Sequence, residues 1–200
     1  RPDCVDEEKI AMIDELAQRT FVSLEFGVES IYDDTLRRVN RGHDYSAFLQ
    51  ATKLVRGRSI HLGAHLVLGF PWESREQWLA MADEMSRVGV DAIKIHHLHI
   101  VRGTALAAEY SRAPFRVLEY EEYLDLLCEF VERLDSNIVI ERMWGEAPFG
   151  LLVAPNWRRD KNDLVRDIAR IFQERDVRQG RKAKTQLTRT TNELSSSLRS

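Results

Sequence analysis

The hydrophobic positions change period several times along the chain, and each change marks an element. Over 6–19 the apolar residues Ile10, Ile13, Leu16 and Ala17 fall on one helical stripe. Over 22–27 the period drops to two, with Val22, Leu24 and Phe26 alternating with Ser23, Glu25 and Gly27. Two helices are predicted next, over 33–39 and 45–56, divided by the turn Asn40-Arg41-Gly42-His43. Alternation returns over 60–69. Ser74 and Gln77 then carry a capping-box signature that opens a helix, and Gly89 stops it. A strand over 92–100, a helix over 119–134, a strand over 138–144 and a helix over 162–174 complete the pattern. Strands separated by helices of this length predict βαβ units and a parallel sheet.

The alternation is one-sided. Leu62, Ala64, Leu66 and Leu68 oppose His61, Gly63, His65 and Val67, and Ile93 and Ile95 oppose Lys94 and His96. A doubly wound sheet is buried on both faces and reads as a nearly continuous apolar run. Here helices must cover the apolar face while the polar face looks into water or a ligand. The predicted fold class is therefore α/β: a partial (half) TIM-type barrel of parallel strands with outer helices and a polar lumen, not a side-chain-filled one. An antiparallel sheet with one solvated face would alternate in the same way, but the intervening helices argue against it. The expected organisation is a barrel portion over 1–145, a C-terminal helical extension over 146–180, and a disordered basic Ser/Thr-rich tail over 181–200.

Composition narrows the classes. With 200 residues, 44% hydrophobic and 30% charged, the chain is expected to be one soluble globular unit with a sizeable core. No apolar run reaches the ~18 residues of a membrane span and the start carries no signal-peptide pattern, so no membrane partner and a cytoplasmic location are expected. Cys4 and Cys128 are too far apart for a metal knuckle and too few for a disulfide framework, which leaves two reduced thiols. The chain opens on Arg1 without a methionine, and a longer parent protein is expected. Net charge is −3, but the segment from Arg175 to Ser200 has seven basic residues against two acidic ones. That run reads first as a solvated tail; contact with RNA phosphates is the alternative.

Two phrases stand where a strand stops and a helix is about to start: Gly27-Val28-Glu29-Ser30 with the Asn40–His43 turn, and Ala64-His65-Leu66-Val67-Leu68-Gly69-Phe70-Pro71. That rim of a parallel sheet is where α/β proteins bind ligands. Lys94 and His96 share the lumen face, with His99 near its end, and are placed to bind or protonate a substrate. The alternative is a structural charge network with Glu25 or Glu141. Trp72 narrows the loop after Pro71, and Glu146 is a further candidate for the same cavity.

Glu25-Phe-Gly-Val-Glu-Ser30, then Leu36-Arg-Arg-Val-Asn-Arg-Gly-His43, resembles the (E)xGxQS…LxxxxRGH stretch of radical S-adenosylmethionine (SAM) enzymes. His65-Leu-Val-Leu-Gly-Phe-Pro71 resembles their DLIxGLP stretch, as found in elongator-type enzymes and oxygen-independent coproporphyrinogen oxidase. Gly89 to His96, Leu98-His99, Gly103-Thr104, Leu151 to Pro155, Glu174 to Gly180 and Arg1-Pro-Asp-Cys4 resemble the YhcC/YtqA-like branch of that superfamily. The pieces occur in the right order over residues 1 to 180.

The resemblance implies that Glu29 and Arg41 hold the methionine end of SAM. An arginine fork suits a carboxylate and a side-chain acceptor suits an ammonium. Glu stands where the family has Gln at 29, and His65 where relatives carry a ribose-binding Asp. Val67 would offer backbone groups to the adenine, and Glu25 joins the cofactor-binding set. On the residues alone, Arg41 as a helix-end cap, Glu29 as a solvated rim carboxylate and His65 as a satisfied core histidine remain open. The family also implies a 4Fe–4S cluster on a CxxxCxxC loop, cleavage of SAM to a 5′-deoxyadenosyl radical, and an electron donor such as flavodoxin or ferredoxin. No such loop occurs in these 200 residues, so no metal ligand is assigned and the chain is expected to be the C-terminal portion of such an enzyme, acting on a small molecule or RNA. The alternatives are an iron-independent (β/α) barrel-type enzyme using Lys94 and His96 for acid–base work, and a non-catalytic RNA-associated module.

Overall fold

The structure, a computed structural model, describes residues 1–183. After a 3₁₀ turn at Pro2–Cys4 come α1 (Glu7–Ala17), β1 (Ser23–Glu29), α2 (Asp33–Arg38), α3 (Tyr45–Val55), β2 (His61–Leu68), α4 (Arg75–Val88), β3 (Ala92–His97), β4 (Ile100–Val101), α5 (Ala105–Arg112), α6 (Tyr120–Arg133), β5 (Val139–Arg142), β6 (Leu152–Ala154) and α7 (Lys161–Glu174). β1, β2, β3 and β5 form one parallel sheet in that spatial order, and β4 pairs antiparallel with β6. The α/β reading with a parallel sheet and outer helices is correct.

Register follows from the one-sided alternation, because a slip of one residue would turn the apolar set outward. Glu25 pairs with Gly63, Gly27 with His65, His65 with Lys94, and Val67 with His96, so the polar set lines up across three strands. On the other face Phe26, Val28, Ala64, Leu66, Leu68, Ile93 and Ile95 are all 1% exposed or less. They pack against Phe48, Met81, Met85, Leu124, Leu127 and Phe130 from the helices. Each fully buried side chain of this size contributes about 1.5–3 kcal/mol. The capping box at Ser74 is formed in both directions, and Gly89 ends α4 at φ +75°.

Several predicted boundaries need correction. The strand expected over 92–100 ends at His97; the chain turns there, and Ile100–Val101 joins β6 instead. Apolar residues recur on both sides of the break, Ile93 and Ile95 before it and Leu98 and Ile100 after it, and only a change of phase across His97 marks it in the sequence. The strand expected over 138–144 is only Val139–Arg142. α5 was not predicted; its signals are the Thr104 N-cap, which accepts from the Ala107 amide at 3.2 Å, and the alanine-rich run behind it. Leu16 is 54% exposed, not part of the buried stripe. Residues 181–183, expected to begin a disordered tail, form a turn in which Lys182 donates its amide to Glu132 at 2.7 Å and its ammonium pairs with Glu132. The rest of that expectation, 184–200, lies outside the described residues. Among the described residues no helix is long and apolar enough to cross a membrane, and no strand pairs with the outer side of β1 or β5.

Candidate functional site

The lumen face brings Glu25, His65, Lys94 and Glu141 into one charge network. Glu25 Oε2 lies 2.5 Å from His65 Nε2 and also accepts from the Lys94 ammonium, whose second carboxylate partner, Glu141, is 3.4 Å away. The Lys94 hydrogen bond, then that of His65, holds the Glu25 carboxyl below its usual range; Glu25, and secondarily Glu141, raise Lys94 against the opposing effect of burial. The structural-network alternative for Lys94 is thus present in its geometry. The residues assigned to SAM and those assigned to substrate meet at Glu25, not at separate depths. Gly63 makes this possible, since a Cβ there would lie 2.9 Å from Glu25 Cγ.

His96 is one step further along β3, its ring stacked on His65 at 5.9 Å between centroids. Its Nε2 is buried with no hydrogen-bond partner, and its Nδ1 lies against Gly145. Burial first, and then the nearby His65, Arg142, His99 and Lys94, push its pKa down to about 4, so the ring is neutral near pH 7. A neutral imidazole with an unsatisfied nitrogen is a group ready for a ligand hydrogen bond. Glu146 is exposed and Trp144 half-buried beside Gly145.

At the rim, Arg41 Nη2 donates to the Gly27 carbonyl at 2.9 Å and lies 3.3 Å from Glu29 Oε1, while its Nε is buried without a partner. Arg41 is therefore a clamp between the strand end and Glu29, not a helix-end cap. A Cβ on Gly27 would sit 2.5 Å from both the Arg41 guanidinium and the Glu29 carboxylate. Only glycine allows that approach. The β1–β2 ladder is interrupted between Gly27 and Glu29, and Glu29 has φ +63°. That ladder ends at Leu66, which leaves Val67 just past its last paired residue.

Sequence reading missed His97. It is 6% exposed on the core face, its ring stacked on Trp157 at 4.0 Å and beside Tyr123 at 5.2 Å. His97 and His99 bring their Nε2 atoms to 2.6 Å, so one ring donates and the other accepts. Burial, followed by the neighbouring histidines, drives the His97 pKa down to about 2. The cluster fastens the segment around Trp157, whose indole donates to the Leu118 carbonyl at 2.9 Å, onto the barrel end. Its one local partner is His99; the burial that sets it apart comes from Tyr123 of α6 and from Trp157, which are distant in sequence. A groove of about 950 Å³ lies at the opposite end of the strands, where β2, β3 and β5 begin, bordered by Arg56, Arg58, Val88, Asp91 and Asn137, and none of the lumen groups lines it.

Comparison with known proteins agrees with this architecture. Residues 2–85 match the family model of the radical SAM superfamily, and residues 90–174 match that of the radical SAM C-terminal domain. The chain belongs to the radical SAM superfamily. Within it, the chain is similar to the YhcC/YtqA branch: 27% identical over 181 residues to the uncharacterized protein YtqA of Bacillus subtilis, covering 90% of this chain and 56% of YtqA. It is 30% identical over 178 residues to protein YhcC of Escherichia coli, covering 88% of this chain and 58% of YhcC. The chain thus spans somewhat over half the length of these curated relatives. The fold matches an archaeal Elp3 from Methanocaldococcus infernus at TM-score 0.75 and 23% identity, over 90% of this chain and 41% of that one.

Proposed function

We propose that this chain forms the SAM-binding and substrate-facing part of a radical SAM enzyme. The observation that carries the reading is the Arg41–Glu29 pair across a Cβ-free Gly27, with Arg41 Nε left without an acceptor. A cation and an anion held side by side suit the carboxylate and ammonium of an amino acid, which is the methionine end of SAM. Glu25 and His65 would meet the ribose, and the backbone at Val67 the adenine. Bound SAM would supply radical chemistry. Lys94 and His96 would face the substrate, Lys94 fixed by Glu25 and His96 offering its free ring nitrogen.

A 4Fe–4S cluster does not fit the residues present. Cys4 is exposed and Cys128 is buried in α6, and two thiols cannot supply the three thiolates of such a cluster. In this reading the cluster ligands, and docking of a flavodoxin- or ferredoxin-type donor, lie outside the described residues. The substrate is a small molecule or an RNA. Calorimetric titration of SAM into the protein and its Arg41→Ala variant tests the proposal. The expected loss is about 1.5–3 kcal/mol, the range for hydrogen bonds to a charged group; unchanged affinity would leave Arg41 a purely structural clamp.

A further inference from the structure

Glu73 is 7% exposed, and its carboxylate is turned inward just before the N-cap of α4. A carboxylate at that position favours the helix dipole from solvent at little desolvation cost. This one instead accepts from the Ser30 hydroxyl at 2.6 Å, and its Oε2 is buried without a well-formed partner. Burial raises its pKa, partly offset by Ser30, Thr35 and Trp78. A buried, half-satisfied carboxyl costs stability and calls for a role.

That role is visible on the other side of the bond. Ser30 is fully buried, its hydroxyl accepts from the Tyr32 amide at 3.1 Å, and its own amide donates to Val28 at 2.8 Å. The Val28–Ser30 bond spans two residues and closes a γ-turn centred on Glu29, whose φ is +63°. The form with a positive central φ is rare and strained, and for a residue with a long side chain it persists only when its surroundings hold it. The Glu73 backbone is fixed in turn, donating to the Phe70 carbonyl at 3.0 Å. The end of β1 and the loop after β2, 43 residues apart in sequence, are therefore joined by one buried hydrogen bond.

We propose that Glu73 is a positioning residue that locks Glu29 into its left-handed turn through Ser30, aiming the Glu29 carboxylate at Arg41. Its purpose in ligand binding rests on the SAM reading above; the lock itself does not. Without the lock, residue 29 would relax to an ordinary φ and its side chain would leave the Gly27 notch.

A thermal-stability cycle and a binding titration test this together. Glu29→Gly removes the left-handed cost and should raise the melting temperature by about 2–4 °C. In a Glu73→Leu background the same change should bring no gain, because the turn has already relaxed. Ser30→Ala cuts the same link by deleting one oxygen and stands in if Glu73→Leu fails to fold. An equal gain with and without the lock overturns the proposal. In calorimetry with SAM, Glu73→Leu and Ser30→Ala should bind at least tenfold more weakly, while Glu73→Gln, which keeps an acceptor for Ser30, stays within threefold. Unaltered SAM affinity in both disruptive variants overturns the positioning role. A wild-type protein that binds no SAM overturns the SAM reading, and the stability cycle then judges the lock alone.

Discussion

At the scale of single residues, Lys94 and His96 carry the clearest division between support and chemistry. Lys94→Met and His96→Leu keep bulk while removing the polar atoms. If the Lys94–Glu25–Glu141 network holds the barrel together, breaking it strands a carboxylate and costs about 3–5 kcal/mol. Both carboxylates are about a third exposed, however, and Glu25 keeps His65, so solvent screening lowers that penalty. The expected outcome is a modest fall in thermal stability, retained SAM binding and lost substrate turnover in the complete enzyme. A collapse of melting temperature in both variants would make these residues structural. That Lys94 and His96 share the lumen was legible in the sequence from period-two alternation. That Glu25 bridges Lys94 and His65 was not, since contact across three strands depends on sheet curvature and on the missing side chain of Gly63.

At the scale of elements, the β1–β2 pairing is tuned by its glycines. Gly63→Ala adds a Cβ that would meet Glu25 Cγ at 2.9 Å while the nearest backbone atom, Glu25 Cα, stays at 3.6 Å. Alanine in a strand gains roughly 0.5–1 kcal/mol over glycine, and the displaced atom belongs to a flexible side chain. Stability should therefore change by less than about 1 kcal/mol, while Glu25 swings away from His65 and Lys94. The measurement is the Glu25 carboxyl titration by NMR, which should rise toward the ordinary carboxylate range once the Lys94 and His65 hydrogen bonds are lost; an unmoved titration would mean that Glu25 accommodates the methyl without leaving. The elements themselves were readable where pattern and punctuation agreed, as with the Ser74 capping box and Gly89. They were unreadable where tertiary partners decide: the break after His97 is set by β6, and the turn at Glu29 by Ser30 and Glu73.

For the whole molecule, the neutral histidines set an acid limit. In the unfolded chain His96, His97 and His99 protonate near pH 6.5. In the fold burial lowers all three, to about 4 for His96 and about 2 for His97. The unfolded state therefore binds more protons below pH 6.5, and stability falls with pH, by at most about 1.4 kcal/mol per pH unit for each proton refused. Partial exposure of His96 and His99 reduces their share, and Glu73, with its raised pKa, works in the opposite direction as its carboxyl protonates. Melting temperatures should decline steadily from pH 7 to 5, and His97→Gln should flatten the decline; a flat wild-type profile would show that the rings protonate in place. Anaerobic reconstitution of these 200 residues should give no stoichiometric 4Fe–4S absorbance, whereas a full cluster would contradict the proposed division of ligands.

Among the described residues the outer sides of β1 and β5 are unpaired, and that bears on what can approach them. An unpaired strand is a template onto which any passing strand can crystallise, and growth from such margins leads to fibres. Here each margin carries charge: Glu25 on β1, Glu141 and Arg142 on β5. A second molecule docking edge to edge would have to bring its own charges against them and strip their water. Among the described residues, the carboxylates that steady Lys94 thus also set a desolvation cost on any strand that approaches these two margins.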